Sequence, residues 1–415
     1  MLSGTDVAII GAGPYGLSIA AHLRAGNVDH RVIGSPMHFW RAHMPFGMQL
    51  KSEGFASNLY DQKRELPLKR FCEERRIAYA DLGIPVHLET FTAYGRDFQK
   101  RFVPEAEDKR VEFLERSPAG FQLHLDDGTS FTARRAIVAV GVDHFRSVPA
   151  QLAHLPAEFG SHSSEHNSLD RFVGRDITVI GAGSSAIDLA VLLSEKGANV
   201  RLVARTNSIK VHGKMQLPRP LWDRISQPMS GIGPGWKHII LSDAPTLVHL
   251  LPSSMRLMAV KRILGPAGGW FMKERLAHVP LLLGYRLRRA ECSDSRVHLE
   301  MVANDGTQRR LQTEHVIAAT GFSPDLHRLP FLSDEIRLRL RAIENTPVLS
   351  SYFESSVRGL YFVGAISANS FGPVMRFAVG AKFTARQISK HVALTSRVRT
   401  AMRLLSASLP DVSAQ

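Results

Sequence analysis

Two glycine-rich turns are the residues whose types and spacing most clearly suggest chemistry. They are residues 11–16, GAGPYG, and residues 181–186, GAGSSA. Each turn follows a short apolar strand and precedes a helix-like stretch. A pyrophosphate can rest on the free N–H groups at such a helix start when the backbone comes close enough. The doubled pattern therefore predicts two dinucleotide sites in one chain.

Each glycine of the first turn has its own physical task. Gly11 permits the tight turn after the strand, Gly13 removes the side chain that would block the phosphate, and Gly16 lets helix and strand pack closely. The second turn ends in Ala186 where the first has glycine, which the motif permits. The strand–turn–helix context favours nucleotide binding over a glycine-rich turn that binds nothing.

The end of the second strand of each unit indicates which nucleotide binds there. An acid at this place holds the ribose of NAD, whereas an arginine suits the 2′-phosphate of NADP. In the second unit the strand at 199–204 is followed by Arg205, with no acid nearby. We therefore expect NADPH there; the alternative is a merely solvated arginine. The first unit has Gly34 and Ser35 at this place, so the ribose contact of its nucleotide stays unassigned.

The remaining elements are predicted from hydrophobic periodicity and turn residues. Helices are expected at 66–77 and 91–102, and a last helix from Pro373 to about residue 393. Strands are expected at 111–115, 121–125, 136–140, 297–302, 315–319 and 359–363. Residues 207–290 are rich in proline and include Trp222, Trp236 and Trp270, and they are too long and too apolar for a loop. We expect a helical insertion there.

Together these elements predict an α/β fold of two nested Rossmann-like dinucleotide-binding domains, of the three-layer ββα FAD/NAD(P)-binding type. The FAD-binding domain is expected to be discontinuous, formed by residues 1–168 and 314–395. The NADPH-binding domain is expected at 169–313, with the helical insertion at about 207–290. Residues 396–415 are expected to form a C-terminal tail.

Composition narrows the functional class. The 415 residues are 44% hydrophobic, and no apolar run reaches the roughly 18 residues of a membrane-spanning helix. The start of the chain lacks a signal-peptide pattern. Cys72 and Cys292 stand alone, which argues against a disulfide framework, a metal site and a redox-active cysteine pair. We expect a cytoplasmic protein.

The net charge of +14 admits several partners. Its basic residues are spread widely, so positive clefts for phosphate-rich cofactors and anionic substrates are favoured over nucleic-acid binding. Residues 246–264 mix apolar side chains with Arg256, Lys261 and Arg262, which fits either a lid packed on the core or contact with a membrane surface. Membrane contact and a homo-oligomer both stay open.

In these motifs the chain resembles the class B flavoprotein monooxygenases, which include flavin-containing monooxygenases, Baeyer–Villiger enzymes and amine N-hydroxylases. The first turn is similar to the family's FAD motif, and GAGSSAIDLA at 181–190 is similar to its NADPH motif. Residues 316–322, VIAATGF, resemble the family's linker motif. Residues 359–364 together with Gly372 and Pro373 resemble its last FAD-binding strand and helix.

Two segments bear on the subclass. Residues 159–166, FGSHSSEH, hold the residues of the family's FxGxxxH motif at compressed spacing, with His166 where an aromatic residue is expected; His162 is either part of that motif or a linker histidine. Residues 40–61 resemble the Trp, Gly-Met and Leu run of N-hydroxylases beside the flavin. A disulfide reductase would need a cysteine pair, which the chain lacks.

The resemblance implies an FAD-dependent, NADPH-consuming monooxygenase that inserts one atom of O2 into a small organic substrate through a C4a-(hydro)peroxyflavin. Polar groups near the flavin are then expected at Lys51, Ser52 and Asn369. The residues expected to contact FAD or NADPH are Gly11, Gly13, Pro14, Gly16, Trp40, Met48, Leu50, Gly141, Gly181, Gly183, Ser184, Ser185, Arg205, Thr320, Gly321, Gly364, Gly372 and Pro373. Trp40, Met48 and Leu50 are alternatively ordinary core residues. The alternative activities are an NAD(P)H oxidase or a quinone or ferredoxin reductase without oxygen insertion, and a non-enzymatic cofactor-binding sensor.

Overall fold

The computed structural model describes residues 4–407. The strands are β1 (Gly4–Ile10), β2 (His30–Ile33), β3 (Val111–Ser117), β4 (Gly120–Leu125), β5 (Ser130–Val138), β6 (Gly160–His162), β7 (Asp176–Ile180), β8 (Asn199–Ala204), β9 (Met229–Ser230), β10 (Gly233–Pro234), β11 (Leu281–Leu283), β12 (Tyr285–Ser293), β13 (Arg296–Ala303), β14 (Gln308–Thr313), β15 (His315–Ala318), β16 (Ala342–Ile343), β17 (Thr346–Pro347) and β18 (Leu360–Phe362). The α-helices are α1 (Pro14–Ala25), α2 (His38–Ala42), α3 (Leu68–Glu74), α4 (Leu88–Phe102), α5 (Ser184–Glu195), α6 (Leu221–Ser226), α7 (Trp236–Asp243), α8 (Pro245–Leu250), α9 (Ser253–Arg262), α10 (Lys273–Leu276), α11 (Asp334–Arg339), α12 (Ala368–Phe371) and α13 (Ala381–Ala407).

The first glycine turn lies in a six-stranded sheet with the order β2-β1-β5-β4-β3, in which β18 also pairs with β5. Strand β1 is parallel to both of its neighbours, β2 and β5. The second half of β5 pairs with β18, so a strand near the C-terminus completes the sheet that begins at the N-terminus. Strand β1 is buried from Val7 to Ile10, and the most exposed of these residues, Ile10, is only 5% exposed.

The second glycine turn lies in a sheet of the same design. Its five strands, β11-β8-β7-β15-β6, are all parallel. The glycine turn follows β7, which lies between β8 and β15. The two units use the same backbone contact behind the turn: the N–H of Ala139 donates to Ile10 O, and the N–H of Ala319 donates to Ile180 O, at 2.8 and 2.9 Å. The predicted fold class, two Rossmann-like units in an α/β chain, is confirmed.

Strands β6 and β15 both belong to the second sheet. The predicted FAD-binding segments, 1–168 and 314–395, include both strands, so the chain crosses between the two units inside those segments. The exact domain boundaries stay a prediction.

The insertion at 207–290 is helical only in part. Helices α6 to α10 lie within it, as predicted, but so do strands β9, β10 and β11 and the first part of β12. Strand β11 is an apolar run, Leu281–Leu283, that extends the second sheet by pairing with β8. Strands β12, β13 and β14 form a separate antiparallel sheet. The predicted insertion is therefore helical in α6 to α10, with the short strands β9 and β10 among these helices and strands in place of helices after residue 276.

The last long helix begins later than predicted. Residues 373–376 form a single 3₁₀ turn, Phe377 is extended, and α13 begins at Ala381. The interruption has a physical cause, because the carbonyls of Met375 and Phe377 both accept hydrogen bonds from the Tyr15 hydroxyl group. Helix α13 continues to Ala407, through part of the predicted tail; residues 408–415 lie outside the described residues. Within residues 4–407, no helix is both long and apolar enough to cross a bilayer.

Candidate functional site

The first glycine turn leaves an open space at the start of α1. Gly13 is the residue before the helix, and a Cβ atom placed on it would meet no atom of the described residues within 4 Å. The flanking glycines are different. A Cβ at Gly11, which has a φ of +113°, would lie 2.5 Å from Ala139 O, and one at Gly16 would lie 1.9 Å from Gly11 O. The turn is packed where the motif requires contact and open where a phosphate must approach, so it fits a pyrophosphate.

The second glycine turn has the same geometry with one addition. Gly181 has a φ of +155°, and a Cβ there would lie 2.3 Å from Ala319 O. Gly183 precedes α5, and a Cβ on it would lie 3.5 Å from Pro266 Cβ, an ordinary contact. Pro266 belongs to the insertion, which therefore reaches over the second turn. This site also fits a pyrophosphate, with one wall contributed by the insertion.

Tyr15 connects the first turn to the C-terminal part of the site. Its hydroxyl group lies 3.0 Å from Met375 O and 2.9 Å from Phe377 O. Its ring lies 3.8 Å from where a Cβ on Gly364 would be, and a Cβ on Gly380 would lie 2.2 Å from its oxygen. Burial raises the pKa of Tyr15, so the phenol stays protonated and donates. Tyr15 thereby holds the predicted residue Gly364 and the segment that follows Pro373 close to the first turn.

A small cavity separates the two units. It is lined by Ser185, Asp188 and Leu189 of α5, by Met48 of the first unit, and by Phe322, which follows β15. The remaining lining residues are His43, Met44, Pro45, Ser163 and Ser164. Two sequence-predicted residues, Ser185 and Met48, meet here although 137 positions separate them in the chain. The cavity adjoins the second glycine turn through Ser185.

Asp188 places a buried carboxyl group beside this cavity. It is 5% exposed; its Oδ2 accepts a hydrogen bond from the Ser184 hydroxyl group at 3.3 Å, and its Oδ1 has no hydrogen-bond partner among residues 4–407. Burial raises the pKa of Asp188 to about 7, against the opposing effects of Ser184 and the charge of Lys51. An unpartnered buried oxygen of this kind is a polar atom available to a bound group.

Lys51 is the cation whose charge most lowers the pKa of Asp188. Its Nζ donates to Ala267 O, a carbonyl of the insertion, at 3.3 Å. Burial lowers the pKa of Lys51, the charge of Asp188 raises it, and the charge of Arg376 lowers it again. The predicted polar residue Lys51 therefore lies between the first unit and the insertion and is electrostatically coupled to the second unit. Its ammonium group has no ion-pair partner among the described residues.

The other residues predicted to be polar groups at the flavin have local partners. Ser52 Oγ lies 2.8 Å from Ser57 Oγ. Asn369, on α12, donates from Nδ2 to Thr346 Oγ1 at 2.9 Å. Both side chains are partly exposed, and the structure does not bring either of them to the cavity between the units.

The predicted apolar residues of the 40–61 segment divide into two groups. Trp40 packs edge-on against Phe91, with ring centroids 4.8 Å apart, and Leu50 is buried in the main core. Met48 is buried as well but lines the cavity. Of the three, Met48 alone combines a core position with a place at the candidate site.

The two linker segments, residues 159–166 and 316–322, meet behind the cavity. Gly321 O accepts from His162 Nε2 at 3.2 Å and from the N–H of Ser147 at 2.9 Å, while the Thr320 hydroxyl group donates to Ser147 O. Gly141 has a φ of +67°, with open space where its Cβ would be. His162 is buried, burial lowers its pKa, and it serves as a bridge between segments, the linker role considered from the sequence.

Arg205 lies directly after β8, as predicted, and is exposed. It forms no ion pair within the part of the chain that the structure describes, so its guanidinium group is available to an anion at the end of the second strand.

Two important residues were quoted in motifs but given no role from the sequence. Asp188 is the acid in GAGSSAIDLA, and the signal that could have identified it is an acid within an otherwise apolar helix. Tyr15 is the aromatic in GAGPYG; nothing local indicates its bonds to residues 360 and 362 positions away.

The arrangement defines a class: an oxidoreductase fold with two dinucleotide turns, each between a parallel strand and a helix start. A family model described as pyridine nucleotide-disulphide oxidoreductase matches residues 8–221, just over half of the chain. The chain belongs to that family, which confirms the predicted oxidoreductase class.

Curated relatives are consistent with the predicted resemblance. The chain is 28% identical over 342 residues to the probable indole-3-pyruvate monooxygenase YUCCA9 of Arabidopsis thaliana, covering 76% of this chain and 74% of the relative. It is 28% identical over 218 residues to the indole-3-pyruvate monooxygenase YUCCA1 of Oryza sativa subsp. japonica, covering 52% of this chain and only 50% of the relative. It is also 23% identical over 303 residues to a ferredoxin–NADP reductase of Rickettsia prowazekii, covering 66% and 79%.

Solved structures share the fold over nearly the whole chain. The reduced form of ornithine hydroxylase (PvdA) from Pseudomonas aeruginosa superposes with a TM-score of 0.74 at 15% identity, covering 94% of this chain and 99% of that one. The Kutzneria sp. 744 ornithine N-hydroxylase superposes with a TM-score of 0.74 at 14% identity, covering 95% and 100%. The resemblance to class B flavoprotein monooxygenases is confirmed, and the fold is that of these proteins.

Proposed function

We propose that this protein is an FAD-dependent, NADPH-consuming monooxygenase acting on a small organic substrate. The observation that carries the proposal is the pair of glycine turns in one chain, each with space at the residue before its helix, because hydride transfer to a flavin requires a second nucleotide site beside the flavin site. The balanced reaction consumes the substrate, O2, NADPH and a proton and yields the oxygenated product, water and NADP⁺. The relatives named as monooxygenases and hydroxylases support this class of reaction.

We assign the first turn to FAD and the second to NADPH. The open space at Gly13 and the helix start of α1 suit the FAD pyrophosphate. Gly183 and the helix start of α5 suit the pyrophosphate of NADPH, and the exposed Arg205 suits its 2′-phosphate. When bound, FAD accepts hydride from NADPH and activates O2 for transfer.

The side chains around the cavity have supporting tasks. Asp188 holds a proton at its carboxyl group up to about pH 7 and can donate or accept through Oδ1. Lys51 supplies a positive charge between the insertion and the first unit. Met48 and Phe322 give the cavity apolar walls that limit water.

The chain lacks the parts needed for disulfide chemistry. It has two cysteines; Cys72 is buried and Cys292 is exposed, and neither is paired. A reductase that passes electrons to a disulfide uses a neighbouring cysteine pair. We therefore favour oxygen transfer over disulfide reduction within this family. Two unpaired thiols also fit a reducing compartment, and we place the protein in the cytoplasm.

A flavin reductase without oxygen insertion is the second candidate, favoured by the ferredoxin–NADP reductase relative. The two candidates predict different fates of oxygen. The purified yellow protein is supplied with NADPH, ¹⁸O2 and a panel that includes indole-3-pyruvate, ornithine, sulfides and ketones. One labelled oxygen atom in a product for each NADPH consumed supports the monooxygenase. Hydrogen peroxide release with no labelled product across the panel, together with rapid quinone or ferredoxin reduction, supports the reductase.

A further inference from the structure

One short region carries an unusual share of exposed apolar surface. Of the 21 large hydrophobic side chains that are exposed among the described residues, 11 lie between residues 217 and 258. We call this set the insertion surface; its members are Leu217, Leu221, Trp222, Ile225, Trp236, Ile240, Leu247, Leu250, Leu251, Met255 and Met258. Trp222 is 74% exposed and Trp236 60%, although tryptophan is usually largely buried. An exposed patch of this kind marks an interaction site.

The insertion surface is the outer side of helices α6 to α9. Helices α7 and α8 pack on the body of the protein through the buried Leu241 and Val248, whereas α6 and α9 have no buried residue and α9 contacts α12. The Trp236 Nε1–H donates to Ile225 O at 3.1 Å, which joins α7 to α6. Helix α8 begins two residues after α7 ends, and α9 begins three residues after α8 ends. The exposed apolar side chains therefore lie on consecutive, connected short helices.

The charges around the insertion surface are mostly positive. Residues 217–262 contain six basic side chains, Arg219, Arg224, Lys237, Arg256, Lys261 and Arg262, against two acids, Asp223 and Asp243. Asp243 pairs with Lys382 and Lys261 pairs with Glu344. Arg224 and Lys237 are exposed and have no ion-pair partner in the described part of the chain.

We propose that the insertion surface docks the protein on a membrane that contains anionic lipids. Exposed tryptophans prefer the boundary between water and lipid, and apolar side chains flanked by cations bind an anionic bilayer surface. A second copy of the chain fits less well, because it would bring two positive surfaces of a protein with a net charge of +14 into contact. The docking is peripheral.

Helices α8 and α9 also touch the C-terminal part of the candidate site. His249 Nδ1 lies 3.2 Å from Ser370 O, its ring stacks on Phe371 with centroids 4.8 Å apart, and Arg256 Nη1 lies 3.4 Å from Ser370 O. Substitutions in these helices can therefore alter activity directly. The proposal is tested by vesicle binding, which does not depend on the proposed monooxygenase reaction.

The test is cosedimentation of the purified holoenzyme with lipid vesicles. We expect binding to vesicles of phosphatidylcholine mixed with phosphatidylserine, weaker binding at high salt, and weak binding to phosphatidylcholine alone. The Trp222→Ala/Trp236→Ala double variant should bind on the order of tenfold or more weakly, because it loses most of the aromatic contact. The Arg224→Gln/Lys237→Gln variant should lose about fivefold for each charge removed at low salt.

Matched controls lie elsewhere on the surface. Leu338 is 87% exposed and Arg288 is exposed, both outside the insertion surface, so Leu338→Ala and Arg288→Gln should bind vesicles like the unchanged protein. Unchanged flavin content and far-ultraviolet circular dichroism show that each variant is folded. Absence of binding to phosphatidylserine vesicles at low salt overturns the proposal, as does equal loss in controls and test variants. A stable dimer that dissociates in the Trp222→Ala/Trp236→Ala variant, without vesicle binding, assigns the surface to a second copy instead.

Discussion

Replacing Gly13 by alanine should separate cofactor binding from folding. A Cβ at Gly13 meets no atom within 4 Å, and its φ of −84° and ψ of −172° are accessible to alanine. The unfolding free energy without added ligand should therefore change by less than about 1 kcal/mol, the usual effect at the residue before a helix. In the complex, however, the methyl group would occupy the space that we assign to the FAD pyrophosphate.

The expected loss of affinity follows from the contacts that the methyl group would displace. A hydrogen bond to a charged group contributes about 1.5–3 kcal/mol, so losing one raises the Kd for FAD by about 10- to 150-fold. At a fixed excess of FAD, the stabilisation by ligand should fall by the same about 1.5–3 kcal/mol. Flavin fluorescence titration measures the affinity, and denaturant unfolding with and without FAD measures the stability.

Two neighbouring positions serve as controls. Gly16→Ala places a Cβ 1.9 Å from Gly11 O, so it should destabilise the protein whether or not FAD is added. Gly183→Ala makes only a 3.5 Å contact with Pro266 Cβ, so it should leave FAD affinity unchanged and raise the KM for NADPH. If Gly13→Ala bound FAD within about twofold of the unchanged protein, the assignment of the first turn to the pyrophosphate would be refuted.

Three further predictions concern single side chains. Arg205→Ala should raise the KM for NADPH by about tenfold or more and leave the KM for NADH nearly unchanged, because only NADPH carries the 2′-phosphate; equal changes in steady-state kinetics would contradict the assignment. Burial raises the pKa of Asp188 from 3.8 to about 7, so the folded protein holds a proton that the unfolded chain has lost. The stability contributed by this group is therefore present below about pH 4, falls as the pH rises, and is gone above about pH 7. Asp188→Asn should remove this dependence and stabilise the protein at pH 8 relative to pH 5, measured as the difference between variant and unchanged protein in denaturant unfolding at about these two pH values. Tyr15→Phe should cost about 1–3 kcal/mol, because the carbonyls of Met375 and Phe377 lose the phenol donor and Phe377 O keeps the N–H of Gly380. Hydrogen exchange should increase around residues 373–380; unchanged exchange there would count against the role of Tyr15.

The glycine turns could be predicted from the sequence because their requirements are local. Gly11, Gly13 and Gly16 act within one strand–turn–helix unit, and the spacing alone identifies which position must stay open. The same holds for the second turn and for the place of Arg205 after β8. A doubled local pattern was therefore enough to establish the fold class.

The rest of the site depends on contacts between distant segments, which periodicity does not reveal. The predicted helix start at Pro373 was wrong because Tyr15 binds the carbonyls that a helix would have used. Strand β11 was missed because a three-residue apolar run has no periodicity of its own until it pairs with β8. Asp188 gained its significance only when burial and the approach of Lys51 were known.

The pairing of β18 with β5 and the bonds from Tyr15 to Met375 and Phe377 also bear on biosynthesis. During translation the N-terminal turn emerges first, yet the groups that brace it are made some 360 residues later. A ribosome-bound chain that stops short of that segment would carry the nucleotide motif without its support. The chain should therefore bind flavin late, when translation is nearly complete. Nascent chains truncated before residue 360 should fail to retain the flavin.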